Sequence, residues 1–376
     1  SGLSGWDFAG LGCGGNLPSS LMKPPSRILM FKGHSAGIGD LLRSSAAWRV
    51  LKNAYPNVEL HLLLFTREPG YPSEQLIRDH HLLSSLAVID KRTPNFPERR
   101  RFWADLNRIA KETRPDMVID FESGGLRTSQ AALWLRLRWG ARTIGINTLP
   151  GRNLFYSRAA TSPKKFAQKR GLPWPMEYTD RDFVALSALG LERAGCPIEL
   201  EETEAGRQAR LALRREHGLA ESVPLLGLNI GCGTPDAVSK RPDLAMLSEL
   251  MAGLQNEHGM QLVLTGAPFE RAVNEEFCAI HCKKSSTPII DLAGKTNISG
   301  LTGIIKACEM FVSSDSGPYH MGVAMRVPTL AIFSHDNRTH FHSHPWVRCC
   351  IASDAKSLPE LRSAAEELLM WGTRAG

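Results

Sequence analysis

The chain has 376 residues, of which 43% are hydrophobic and 22% charged, a balance that supports packed cores and excludes a disordered or fibrous protein. That length exceeds one ordinary domain and suits two of about 150 to 200 residues each. The net charge of +7 favours anionic partners, but the basic residues are dispersed and no nucleic-acid module is recognisable, so no nucleic-acid partner is expected.

Residues 1–26 are rich in Gly, Ser and Pro and lack the basic start and apolar core of a secretory signal, so they read as a flexible leader. A first parallel strand follows at 28–32. Gly33, Gly37 and Gly39 then lead into Asp40, and Leu42, Ala46 and Val50 recur at helical spacing until Tyr55 and Pro56 end the element. Asp40 thus stands at a helix start and at the carboxyl end of a strand, where open α/β sheets place their ligands. Asp is also a common N-cap, so position alone leaves both roles open.

Further strands are expected at 58–65, 86–90, 117–121 and 142–146, with helices at 103–112 and 126–138. A charged helix at 201–217 precedes a second series of strands at 224–230, 261–265, 289–292, 310–313 and 329–333, and a last helix spans 357–371. Alternation of this kind implies parallel sheets with right-handed crossovers, hence two doubly wound, Rossmann-like domains. The expected division is a leader (1–26), an amino-terminal domain (27–195), a linker (196–222), a carboxyl-terminal domain (223–350) and a final helix (351–376) that packs back on the first domain.

The second half carries the plainer ligand signal. Residues 315–320 (Asp, Ser, Gly, Pro, Tyr, His) lie between a strand and a short helix, and the unpartnered N–H groups of such a helix start suit a diphosphate. Glu270 follows a strand end, where a carboxylate can accept two ribose hydroxyls. Lys240 and Glu270 taken singly would pass as solvated surface charges. The eight cysteines show no disulfide spacing, and reduced thiols are expected. Neither Cys278, His281 and Cys282 nor the histidines at 335, 340, 342 and 344 complete a recognisable metal-ligand set.

Residues 27–55 and the ordered series Asn229-Ile230-Gly231, Ser239-Lys240-Arg241-Pro242, Thr265-Gly266-Ala267-Pro268 with Glu270, Asp291-Leu292-Ala293-Gly294-Lys295-Thr296 and 315–320 resemble glycosyltransferase family 9, the ADP-heptose heptosyltransferases of lipopolysaccharide core synthesis. Residues 151–158, with Leu154-Phe155-Tyr156, are similar to another family segment. The resemblance implies the GT-B architecture, with two Rossmann-like domains facing a cleft. It also implies an inverting, metal-independent transfer without a cofactor, the ADP-sugar being substrate. Asp40 would be the general base and Lys240 the phosphate clamp. Gly233, Thr234, Ser239, Lys240, Glu270, Leu292, Gly294, Asp315, Ser316, Gly317 and His320 would hold the donor, and Gly39, Arg67 and Arg127 the acceptor. The expected acceptor is an anionic glycolipid or glycan, met by a cytoplasmic enzyme in peripheral contact with the inner membrane. The turn from Gly33 to Asp40 is about two residues longer than the family's, and Glu122 stands where the family often carries Gln. Another glycan or a protein acceptor therefore stays open, as do an acceptor-free epimerase or hydrolase and a non-catalytic binding relative.

Overall fold

The computed structural model describes residues 23–34, 37–93, 95–231 and 238–375. The first sheet contains β1 (Arg27–Gly33), β2 (Glu59–Thr66), β3 (Ser85–Asp90), β4 (Met117–Asp120), β5 (Arg142–Ile146) and β6 (Arg158–Ala160) in the order β3-β2-β1-β4-β5-β6. The second contains β7 (Leu225–Asn229), β8 (Gln261–Thr265), β9 (Ile290–Asp291), β10 (Met310–Ser314), β11 (Thr329–Phe333) and β12 (Val347–Ile351) in the order β12-β11-β10-β7-β8-β9. All pairings are parallel. Counted within each half, both sheets share one strand order, with the reversal between β1 and β4 and between β7 and β10, the switch points where such folds bind ligands. Strands such as β2, buried from Leu60 to Thr66, read as unbroken apolar runs because helices cover both faces.

Around the first sheet lie α1 (Ile38–Leu42), α2 (Ser45–Ala54), α3 (Pro72–Arg78), α4 (Phe96–Thr113), α5 (Arg127–Trp139), α6 (Pro163–Arg170) and α7 (Tyr178–Leu186). Around the second lie α8 (Glu204–Glu216), α9 (Leu244–His258), α10 (Arg271–His281), α11 (Ile298–Lys306), α12 (Gly317–Ala324) and α13 (Leu358–Ala375). One buried apolar cluster runs from Ile28, Met30 and Trp48 in the first domain to Phe311, Tyr319 and Phe333 in the second, so the two sheets share a core.

Several sequence expectations need correction. The single helix expected after Gly39 is two helices. Ser44 turns its hydroxyl to Asp182 and Ser45 bonds the carbonyl of Leu42, and such side-chain bonds compete with the helical ladder. The N-cap of α1 is Gly37, so Asp40 does not cap the helix. Strands β6 and β12 were not expected; the former has only three residues and the latter carries Arg348 at its second position. Helix α8 is no linker element but packs on α11, with Thr203 donating to Ser299 O at 2.8 Å. The last helix, α13, packs chiefly on α9, β11 and β12 of the second domain, with the Arg362–Glu257 and His258–Glu366 pairs at its surface, and not chiefly on the first domain as expected. Ser26, assigned to the leader, donates its N–H to Asp116. Residues 1–22, Cys13 and Cys232 lie outside the described residues; the remaining six cysteines are free thiols.

Candidate active site

The carboxyl ends of the two sheets meet where α1 and α12 begin. A side chain at Gly317 would reach Ile38 Cδ1 at 3.0 Å, and one at Gly39 would strike His320 Cδ2 at 2.3 Å, so only glycine at residue 39 lets the two domains approach this closely. Two cavities flank the contact. One, of about 750 Å³, lies between the domains, lined by Asn229, residues 266–270, residues 296–298, Leu301 and Pro318 of the second and by Ile38, residues 70–75 and Arg78 of the first. The other, of about 470 Å³, is lined by Lys32, Asp40, Arg43, Lys91, Trp174 and Arg181 among others, all of the first domain.

In the larger cavity Glu270 is buried and accepts the N–H of Ala267 at 2.7 Å. Its carboxylate fills the space a side chain at Gly231 would need, which accounts for glycine there. Beside the cavity Asp315 accepts from Lys240 Nζ at 2.9 Å, Asn337 Nδ2 at 2.9 Å and His340 Nδ1 at 2.8 Å. Burial opposes its ionisation, yet the His340 and Lys240 bonds hold the carboxyl well below the usual carboxylate range. Ser316 is the N-cap residue of α12, but its hydroxyl accepts from Asn229 Nδ2 and meets Ser313 Oγ. The first-turn N–H groups are therefore not capped by a side chain and remain a place for an anion.

Four donor-side expectations shift. Leu292 is a core residue bonded to Leu264 O, and Gly294 takes a left-handed turn (φ +69°) with its N–H on Gly266 O; both brace the wall that 266–269 and Thr296–Asn297 actually form. β9 has only two residues, shorter than the strand expected at 289–292. Ser239 is exposed and presents its carbonyl to Ser334. His320 is buried with both ring nitrogens engaged, Nε2 by Arg43 Nη2 at 3.2 Å and Nδ1 by His342 Nε2 at 2.9 Å, so it joins the domains and does not line the larger cavity. Gly233 and Thr234 lie outside the described residues.

In the smaller cavity Asp40 is exposed and its side chain makes no capping bond. Arg43, one turn on, is buried; its guanidinium lies 4.7 Å from the Tyr178 ring, and its Nε and Nη1 have no partner. Burial pushes its pKa down and Asp40 pushes it back up, but a guanidinium stays charged. The field of Arg43, added to burial, keeps His320 neutral. Accepting from Arg43 at Nε2, His320 carries its proton on Nδ1 and donates it to His342. His342 is held near 4 by burial, although Glu177, 3.5 Å away, pulls it up. Glu177 itself, resisted by burial but close to His342 and bonded to Arg193, is drawn down to about 2. The histidine-bearing loop, unassigned by sequence, therefore ties the domains together.

The expected acceptor residues are only partly brought together. Gly39 packs against His320, Arg67 is exposed beyond β2, and Arg127 turns back to Thr93 Oγ1 and the Phe102 ring, so none lines the cavity. Arg43, Lys91 and Arg181 supply its positive charge instead. Arg43 stands three residues after Asp40, and that helical spacing was the available signal.

Ligand atoms of Asp315, His320 and His340 lie within 4.8 Å of one another, as do those of Glu257, His258 and Glu366. The first trio already bonds Lys240, Asn337, Arg43 and His342, which makes it a poor fit to a cation. Neither trio includes Cys278, His281 or Cys282.

Residues 183–368 match the model of glycosyltransferase family 9 (heptosyltransferase). The chain belongs to that family. Lipopolysaccharide heptosyltransferase 3 of Escherichia coli is 29% identical over 85% of this chain and 88% of its own length. Lipooligosaccharide heptosyltransferase 2 of Campylobacter jejuni is 29% identical over 32% of this chain, and the match spans only 36% of that relative. Among solved structures, a family 9 glycosyltransferase of Veillonella parvula superposes with a TM-score of 0.67 at 20% identity, covering 92% of this chain and 97% of its own. The ADP-heptose heptosyltransferase II of Escherichia coli gives 0.65 at 19%, covering 93% and 99%. These superpositions establish the two-domain GT-B fold.

Proposed function

We propose that this protein is an inverting glycosyltransferase that moves a heptose from ADP-heptose to an anionic glycan acceptor of the lipopolysaccharide inner-core type. The observation that carries the reading is Asp40, uncapped and exposed in the smaller cavity, one helix start away from the Asp315, Lys240 and α12 cluster. In this reading the acceptor hydroxyl lies against Asp40, which takes its proton as the oxygen attacks the anomeric carbon. The bond to the diphosphate breaks on the opposite face. Lys240 exchanges part of its pairing with Asp315 for the diphosphate, and the first-turn N–H groups of α12 take up the developing charge. Glu270 holds the ribose in the larger cavity, and 266–269 with Thr296 enclose the base. Arg43, Lys91 and Arg181 meet the acceptor's negative groups, and Arg43's two unpartnered nitrogens gain acceptors when that cavity is filled. The positive charge this chemistry needs is supplied by the chain itself, and the reaction is placed at the cytoplasmic face of the inner membrane.

The test is a melting-temperature series with ADP, UDP, GDP and CMP, followed by release of ADP from ADP-heptose with and without a core glycan. Selective stabilisation by ADP and acceptor-dependent release are expected. Stabilisation by UDP alone would overturn the donor, release at the same rate without acceptor would mean a hydrolase, and conversion to another ADP-sugar without release would mean an epimerase.

A further inference from the structure

From Ser123 to Met176 the chain contains ten Lys or Arg residues and no Asp or Glu. That stretch builds one edge of the first domain: α5, β5, the turn at Arg152–Phe155, β6 and α6. Of the ten cations only Arg152, with Asp120, and Arg170, with Glu192, form ion pairs among the described residues.

The same edge exposes apolar side chains. Leu137 on α5 and Leu154 on the turn are 75% and 73% exposed, and Trp134 and Trp139 are exposed beside them. The two elements are one surface, because Arg136 of α5 donates to the carbonyls of Leu154 and Tyr156. Both indole N–H groups are directed at Asn107 of α4, at 3.0 and 3.5 Å, which fixes the rings on the surface. Arg136 and Arg158 line a shallow basin of about 530 Å³ next to Leu154. Exposed leucines flanked by tryptophans and unpaired arginines have the composition of a surface that lies in a lipid headgroup layer. No helix among the described residues is long and apolar enough to cross a membrane.

We propose that the carboxyl-terminal half of α5 and the 152–158 turn form a docking face for an anionic bilayer. Leu137 and Leu154 enter the acyl boundary, the two tryptophans lie at its level, and Arg136, Arg138, Arg142 and Arg158 meet the headgroup phosphates. The absence of any carboxylate over the whole stretch removes the repulsion that an anionic surface would otherwise meet. The inference rests on the transfer reading only for what the membrane carries, a lipid-linked acceptor.

The experiment is co-sedimentation of the full chain, at physiological salt, with vesicles of phosphatidylglycerol and phosphatidylethanolamine or of phosphatidylcholine alone. Binding to the anionic vesicles is expected, and partition onto phosphatidylcholine weaker by about tenfold or more. The double variant Leu137→Glu, Leu154→Glu should lose about tenfold or more of that partition while keeping the wild-type melting temperature, because both side chains already face water. Leu211→Glu, at an exposed leucine of α8 in the other domain, should bind as wild type. Wild-type partition of the double variant, equal binding to neutral vesicles, no binding, preference for nucleic acid, or a dimer that the double variant abolishes would each overturn the proposal. Transfer to a water-soluble acceptor fragment, assayed in parallel, should be unchanged in the double variant, so failure of the docking face and failure of the transfer reading are read separately.

Discussion

Replacing Asp40 by Asn, and separately by Ala, separates catalyst from helix cap. Had Asp40 been the cap, Ala would cost about 1 kcal/mol and Asn almost nothing. Gly37 occupies that position, and the Asp40 side chain makes no capping bond, so both variants lose only the favourable placement of a carboxylate in the first turn, about 0.3–1 kcal/mol. For a domain of this size that is a fall of no more than about 4 °C in melting temperature. Loss of a general base should by contrast lower the transfer rate by about 10² to 10⁴. ADP affinity should stay near wild type, since Asp40 does not line the cavity proposed for the nucleotide. The assay is initial-rate transfer beside ADP titration calorimetry and thermal melting on one preparation of each protein. Either variant turning over at the wild-type rate would refute the assignment, and the base would then have to be sought elsewhere around the cavity.

Lys240→Ala should reduce turnover by about 10² to 10³ with little change in melting temperature, because the lysine is half-exposed; unchanged turnover in single-turnover kinetics would remove it from the leaving-group role. Gly39→Ala places a methyl 2.3 Å from a His320 ring that both neighbours hold in place, so it should cost about 1–3 kcal/mol or separate the domains; calorimetry and small-angle scattering identical to wild type would contradict the contact. Stability should fall on acidification. His342 and His344, near 4 when folded against an ordinary 6.5, are protonated first in the unfolded chain, so their contribution is complete above 6.5 and gone near 4. Glu177, drawn down to about 2, adds a further loss below its ordinary 4.5. A melting temperature flat across 6.5 to 4 would show that this loop is not buried in solution.

The sheets were legible wherever a strand is covered on both faces, as in β2 and β10, because burial then writes an uninterrupted apolar run into the sequence. It fails at sheet edges. β6 is Arg-Ala-Ala and β12 is Val-Arg-Cys-Cys-Ile, and neither carries enough apolar length to stand out from a loop. Asp40, Lys240, Glu270 and Asp315 could be singled out as candidates because each follows a strand end in a local motif. Arg43 and the His320–His342 pair could not, since their meaning arises only when α1 and α12 of different domains come together. The same limit misled the reading of Arg67 and Arg127, whose positions by strand ends say nothing of which way each side chain turns.

The closeness of Ile38 to Gly317 gives the cleft an uneven electrical character. The amino-terminal end of α12 carries partial positive charge, and Arg43 and Lys240 both act on the histidine packed behind it. Lys240 is offset by Asp315, whereas Arg43 keeps two nitrogens without partners, so the positive charge at this seam is met unevenly. On the proposed reading, a diphosphate arriving or leaving there changes the charge balance at the place where the two domains touch. Turnover limited by product release would then vary with ionic strength even where the chemical step does not.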